Sequence, residues 1–290
     1  MKQELKLMQN QAEILTQSRD PIENEELWTN TNKILYGPVA SRRLGESLGI
    51  NFYPEQKVCS YNCVYCDVGL TSYKNQKYIK AEKIIEIFEI EIIELQSKYN
   101  NNNIPIDYFT FCGNGENLDH PDFHRIYHYI NNRLKDYFPN IPVAILTNGI
   151  NMSANKNVEI INSMDINFIK LDAGDKETFN RINRPRDKNS WNLIINNLKK
   201  IRNLRIETAV VHSNLFSNIS SLKSSYINLI NTFEKIGNLR GLYLHNLDYP
   251  TPYKEIKYNT LEEIKEIADF ISERVNTAVY VLHSKINFRE

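Results

Sequence analysis

The chain has no excess of charge of either sign: Lys and Arg number 35, and Asp and Glu number 35, in 290 residues. It therefore lacks the global basic field with which a constitutive nucleic-acid binder attracts phosphates, and any RNA contact has to be local. Long apolar runs are missing as well. The opening MKQELKLMQN has no apolar core of the kind a secretory signal needs, and no segment approaches the length of a membrane span. A cytosolic protein with reduced thiols is expected. Cysteine is scarce, four in all, and outside one short run there is only Cys112. A structural zinc site built from two separated pairs finds no second pair, and a ferredoxin-type cluster needs four cysteines. What the chain does hold is 41% hydrophobic residues, ample for the core of one large domain or two small ones.

The short run is VCSYNCVYC, which sets Cys59, Cys63 and Cys66 at C-x3-C-x2-C spacing. Soft thiolates suit iron, and a short loop lets three of them hold three irons of a cubic 4Fe–4S cluster. The fourth iron then needs a ligand from outside the run.

Around this loop the chain alternates. Apolar runs at Ser47–Phe52, Asp107–Phe111, Val143–Leu146, Phe168–Leu171, Ile206–Val211 and Gly241–Leu244 read as strands, with Val279–Leu282 as a last one. Helical periodicity follows at Glu82–Leu95, Phe123–Leu134, Asn157–Met164, Trp191–Ile201, Leu222–Ile236 and Leu261–Val275. Right-handed β/α crossovers and a parallel sheet follow from that order. Six units fall short of a closed barrel. The expected α/β fold is a partial (β/α)6 TIM-type barrel over residues 36–290, with a flat doubly wound sheet as the alternative. Leu5, Met8, Ala12 and Leu15, spaced three and four apart, predict a helical arm over residues 1–35.

In either architecture, ligands collect at the carboxyl ends of the strands, where each remaining motif lies. After the second strand comes FCGNGENLDHP, whose Gly113, Asn114, Gly115 and Glu116 form a tight turn that exposes backbone groups. LTNG after the third strand offers Asn148. In FIKLD, alternation puts Lys170 and Asp172 opposite Ile169 and Leu171, and charges on a buried face require a partner: each other or a ligand. Arg181, Arg184 and Arg186 cluster in FNRINRPR, and Arg42 and Arg43 follow Ser41 ahead of the first strand. Each group suits a carboxylate or phosphate, or else a solvated face. His124 and His128 lie one helical turn apart, with His120 left in the loop before Pro121. Without a carboxylate pattern they read as solvent-facing, and Cys112 reads as a small buried residue.

The run YGPVASRRLGESLGINFYPEQKVCSYNCVYCDVG at residues 36–69, followed in order by GNGE, TNG, KLDAGDKETFNRINRP and LHNLDYP, resembles the radical S-adenosylmethionine (SAM) enzymes. The similarity extends over about residues 36–283 and is greatest to stand-alone iron–sulfur oxidoreductases grouped with wybutosine biosynthesis. It departs where proline and threonine commonly follow the glutamate, since Asn117 and Leu118 stand here. The resemblance implies a 4Fe–4S cluster on Cys59, Cys63 and Cys66, with S-adenosyl-L-methionine as the missing iron ligand. It also implies cofactor contacts from Tyr65 near the adenine, from Gly113 to Glu116 at the amino group, and from Asn148, Lys170 and Asp172. The chemistry implied is reductive cleavage to methionine and a 5′-deoxyadenosyl radical, which takes a hydrogen atom from the substrate. A flavodoxin or ferredoxin supplies the electron. The substrate stays open among a small anionic metabolite, a peptide and a tRNA base. No cysteine-rich stretch for auxiliary clusters follows residue 260. A non-catalytic iron–sulfur sensor or electron carrier is the rival reading, ahead of a zinc-dependent RNA-binding module.

Overall fold

The computed structural model describes residues 12–17, 32–99, 104–153, 155–247 and 250–284. The strands are β1 (Glu13–Gln17), β2 (Leu35–Ser41), β3 (Gly45–Ile50), β4 (Tyr108–Phe111), β5 (Val143–Thr147), β6 (Ile166–Lys170), β7 (Leu204–Ala209), β8 (Leu239–His245) and β9 (Val279–Ser284). The helices are α1 (Ala81–Tyr99), α2 (Phe123–Tyr137), α3 (Asn155–Ser163), α4 (Lys176–Ile182), α5 (Ser190–Leu198), α6 (Ile219–Leu222), α7 (Ser225–Ile236) and α8 (Leu261–Ser272). All nine strands join one sheet in the order β1-β9-β8-β7-β6-β5-β4-β3-β2. Neighbours from β3 to β9 are parallel, as is β1 with β9, while β2 runs antiparallel to β3.

Period-two alternation separates two faces. Leu48, Ile50, Phe109, Phe111, Ile145, Ile169, Ile206, Leu242 and Leu244 are buried in one core with helix residues such as Ile84, Phe88, Ile130, Ile194, Phe233 and Ile271. The alternate positions Ser47, Gly49, Thr110, Lys170, Glu207 and His245 line a cavity on the opposite face. That face curls around the cavity, as the turn between β2 and β3 shows by reaching across the opening. Arg42 Nη1 donates to the carbonyls of Asn246 at 3.2 Å and Leu282 at 3.5 Å, and Arg43 pairs with Glu207 on β7. Leu44 of the same turn packs with Ala144 and Phe168. The result is the partial TIM-type barrel, which a flat sheet with helices on both faces does not match.

The arm departs from its helical reading. Glu13–Gln17 is a strand in register with Tyr280–Ser284, and the preceding Ala12 donates its N–H to Asp269 Oδ1 at 3.1 Å. A three-and-four spacing records only which residues are apolar. The edge of β9 offers a row of backbone donors and acceptors, and pairing with it satisfies groups on both chains. The rest of the predicted arm lies outside the described residues, apart from the segment leading into β2. That strand, too, is an addition to the sequence reading: Pro38 lowers its strand signal and is accommodated at the sheet's edge.

Candidate active site

At the carboxyl ends of the central strands the half-barrel encloses a cavity of about 360 Å³, lined by Cys59, Cys63, Cys66, Tyr65, Gly113 to Glu116, Asn148 and Lys170 among others. Two loops form its rim and are stitched together. Val58, just before the first cysteine, donates to Asn114 O at 3.1 Å, and its carbonyl accepts the Glu116 N–H at 2.8 Å, making a parallel bridge between Val58 and Gly115. A side chain at position 115 is impossible there. A Cβ would lie 1.8 Å from Val58 O, and φ is +146°. The glycine run and the cysteine loop are therefore one rigid unit.

Each cysteine sulfur has a polar neighbour. Cys59 Sγ accepts from Tyr61 N–H at 3.4 Å and Asn148 Nδ2 at 3.7 Å, Cys63 Sγ from Asn183 Nδ2 at 3.6 Å, and Cys66 Sγ from Lys57 Nζ at 3.0 Å. Burial pushes the Cys63 thiol up to about 12 and raises Cys59 well above the ordinary range; it also raises Cys66, with Lys57 opposing. Thiols so placed ionise only when a cation replaces the proton. No three His, Cys, Asp or Glu side chains among the described residues converge on a single metal position.

The Glu116 carboxylate already has three protein donors. Oε1 accepts from Leu118 N–H at 3.0 Å and Thr147 Oγ1 at 2.8 Å, and Oε2 from Asn148 N–H at 2.6 Å. Burial, with the Asp119 charge second, pushes its carboxyl up to about 8 despite these bonds. Its geometry is that of a clamp between the glycine run and the TNG turn, holding Asn148 where Nδ2 also reaches Ser60 Oγ at 3.1 Å. Glu116→Ala is expected to destabilise the fold by roughly 2–4 kcal/mol, because buried donors lose their acceptor. A urea midpoint unchanged from wild type would contradict the clamp.

Deeper in, a charge network crosses the barrel. Glu207 meets Arg43, Lys170 Nζ at 3.7 Å and His245 Nε2 at 3.2 Å. Burial alone would raise the Glu207 carboxyl, but Arg43, then Lys170, outweigh it and hold it well below the carboxylate range. His245 is held neutral by burial and by Lys170. Its Nδ1 lies 2.9 Å from Asn246 O and so carries the proton, which leaves Nε2 to accept from Lys170 at 2.6 Å. Lys170 Nζ also sits 5.1 Å from the centre of the Tyr65 ring.

The sequence-derived candidates divide accordingly. Cys59, Cys63, Cys66, Tyr65, Gly113, Asn114, Gly115, Glu116, Asn148, Lys170, Arg42 and Arg43 all line the cavity. Asp172 lies behind the wall: it is fully buried, and its oxygens accept from Tyr65 Oη, from Asn183 Nδ2 at 2.6 Å and from Ala209 N–H at 2.7 Å. Arg42 and Arg43 brace the barrel. Arg181 is exposed and donates to Ser217 O at 3.0 Å, and Arg184 stacks on Tyr253 and Phe216; neither lines the cavity. His120 is engaged with Ile79 O and Asp122 N–H, while His124 and His128 lie against each other on the outside of α2. Cys112, read from the sequence as a small buried residue, is half-buried and lines the cavity beside Tyr36 Oη at 3.0 Å. Lys57, Asn183, Glu207 and His245 were missed. For His245 a signal existed, since it continues the alternation with Leu242 and Leu244 on its strand, the pattern that singled out Lys170, whereas Glu207 is followed by Thr208 and carries no such pattern.

A family model described as the Radical SAM superfamily matches residues 54–217, more than half of the chain. The chain belongs to the Radical SAM superfamily. Among relatives of this radical SAM protein, a UPF0026 protein of Helicobacter pylori is 30% identical over 80% of this chain and 72% of its own length. A UPF0026 protein of Methanocaldococcus jannaschii is 32% identical over 83% of this chain and 71% of its own. In fold it is similar to TYW1 solved with a lysine–pyruvate adduct bound, with a TM-score of 0.51 and 18% identity over 78% of this chain and 73% of that one. The matched residues run from the cysteine loop through β4, β5, β6 and β7 and the loops at their carboxyl ends. No helix among the described residues is long and apolar enough to cross a membrane.

Proposed function

We propose that this radical SAM enzyme holds a 4Fe–4S cluster on Cys59, Cys63 and Cys66 and binds S-adenosylmethionine against the Gly113–Glu116 run, to generate a radical that acts on a polar substrate. The observation that carries the reading is the bridge between Val58 and Gly115, which fixes the three-thiolate loop and the glycine turn on one wall of one cavity. The residues fit both groups. Three largely enclosed sulfurs need cationic partners, and Gly115, having no Cβ, lets the glycine turn pack directly against Val58 beside them. When bound, the pair supplies one-electron cleavage of the sulfonium carbon–sulfur bond, giving methionine and a 5′-deoxyadenosyl radical.

The chain's own residues position and shield. Asn148 and Lys57 donate to ligand sulfurs and stabilise their charge. Lys170, held by His245 and Glu207, presents a fixed ammonium for a carboxylate or hydroxyls, next to the Tyr65 ring. Glu116 fixes Asn148. Leu44, Leu146 and Phe168 make part of the wall apolar, which keeps water from a reactive intermediate. A cavity of roughly 360 Å³ takes the cofactor with the reacting part of a substrate, whether a small metabolite, one side chain of a peptide or one tRNA base.

Anaerobic reconstitution, with iron and 5′-deoxyadenosine measured together after reduction, tests the reading. Formation of 5′-deoxyadenosine that depends on all three cysteines is the expected result. A full cluster that neither binds nor cleaves S-adenosylmethionine favours the non-catalytic electron carrier instead.

A further inference from the structure

The formal charge of the chain is zero, yet it is unevenly spread. Residues 69–80 (GLTSYKNQKYIK) and 181–188 (RINRPRDK) together contain seven Lys or Arg and one Asp, a net charge of +6. Helices α1 and α8 balance part of this, with five Glu against two Lys and with three Glu and one Asp against one Lys. The two basic segments are also neighbours in space, because both are bound to the outside of the cysteine loop. Gln76 Nε2 donates to Cys59 O at 3.1 Å, Thr71 Oγ1 to Tyr61 O at 2.6 Å, and Tyr73 Oη to Arg184 O at 3.1 Å. Arg186 N–H donates to Ser60 O at 2.8 Å, Asn62 N–H to Asn183 O at 3.1 Å, and Val64 N–H to Ile182 O at 3.0 Å. Lys74, Lys77, Lys80, Arg181, Arg186 and Lys188 are exposed on this surface. Among them are two apolar groups, Leu70 at 50% and Tyr78 at 44% exposure.

We propose that segments 69–80 and 181–188 form the docking face for a small acidic protein that carries a low-potential one-electron centre. The proposal rests on the cluster assignment above and adds to it the side from which the electron enters. The transfer makes and breaks no bond: one electron leaves the donor's flavin or iron–sulfur centre and arrives at the cluster. Because tunnelling falls steeply with distance, the donor has to rest against the polypeptide nearest the ligands, and Gln76 is one hydrogen bond from the carbonyl of Cys59. A compact cationic patch around two exposed apolar groups matches an acidic protein partner by charge, and steers its encounter. A nucleic acid, in contrast, calls for a longer basic track, which a chain of zero net charge does not extend.

The test uses the full-length, reconstituted protein and the triple variant Lys74→Glu, Lys77→Glu, Lys188→Glu, none of whose positions touches the cavity. Binding of an acidic bacterial flavodoxin is measured by calorimetry at low and at high salt. 5′-Deoxyadenosine formation is followed with reduced flavodoxin and, separately, with dithionite, which needs no docking face. Wild type is expected to bind flavodoxin in a salt-sensitive way, and the variant to lose on the order of tenfold to hundredfold in affinity and in the flavodoxin-driven rate while its dithionite-driven rate stays the same. Equal flavodoxin affinity in the two proteins overturns the proposal. So does loss of tRNA binding in the variant with flavodoxin binding intact, which assigns the face to nucleic acid. Failure of dithionite-driven cleavage in wild type counts against the cofactor reading instead, and the calorimetry still decides the docking face.

Discussion

The Cys63→Ala variant is expected to purify without a stable cluster and to form no 5′-deoxyadenosine above background. Two thiolates hold a cubic cluster poorly, and the remaining polar neighbours at this position, Asn183 Nδ2 and Tyr65 Oη, are engaged with Asp172 and are poor iron ligands. The fold should survive, since the side chain packs only partly buried against the core. Iron per chain, the brown absorption and thermal unfolding of the metal-free protein are the three readings. Full iron content in the variant would sink the ligand assignment; a collapse of metal-free stability would make Cys63 a packing residue.

Glu207→Gln is the substitution with the largest expected effect on stability. The carboxylate pairs with Arg43 and Lys170 in the barrel interior, and an amide leaves Arg43 without its counterion and Lys170 with Asp172 alone, at 3.6 Å. Breaking a buried ion pair on one side costs about 3–5 kcal/mol. The pH profile separates this from simple misfitting. The folded-state value of Glu207 is depressed by its cations, so its contribution is complete above the ordinary glutamate range of about 4.3 and fades as pH falls through the folded value. His245, also lowered, acts in the same direction from about pH 6.5 downward, because the unfolded imidazole takes up a proton that the buried one refuses. Wild type is therefore expected to lose stability steeply on acidification, and Glu207→Gln to start lower and show a shallower decline below about pH 5. Urea midpoints from pH 3 to 8 give the comparison; parallel curves would show that Glu207 does not carry the acid sensitivity.

Arg42 and Arg43, candidate anion contacts in the sequence, show what only the tertiary structure supplies. In the sequence, Arg42 and Arg43 are two cations ahead of a strand. Their acceptors, Asn246 O, Leu282 O and Glu207, lie more than 160 positions away, and only a sheet that curls brings them within reach. Glu116 and Asp172 follow the same logic. Glu116 was marked by the resemblance as an amino-group contact and Asp172 by alternation as a charge in need of a partner, and the protein itself supplies partners to both: Leu118, Thr147 and Asn148 to the first, and Tyr65, Asn183, Ala209 and, at 3.6 Å, Lys170 to the second.

Sequence by itself determined the cysteine spacing, the glycine run one unit later, and the order of strands from β3 to β9 with six of the helices between them, because each is written in short-range spacing or in a period of 2 or 3.6 residues; the short α4 and α6 were not read from it. It also marked Lys170 as inward-facing through alternation with Ile169 and Leu171. The tertiary structure decided the rest. It placed β1 and β2 on the two edges, joined Val58 to Gly115, and sorted cavity-lining charges from those that brace the barrel. The physical reason is that a buried charge is fixed by what lies opposite it, and in a curled parallel sheet the opposite wall comes from a distant part of the chain.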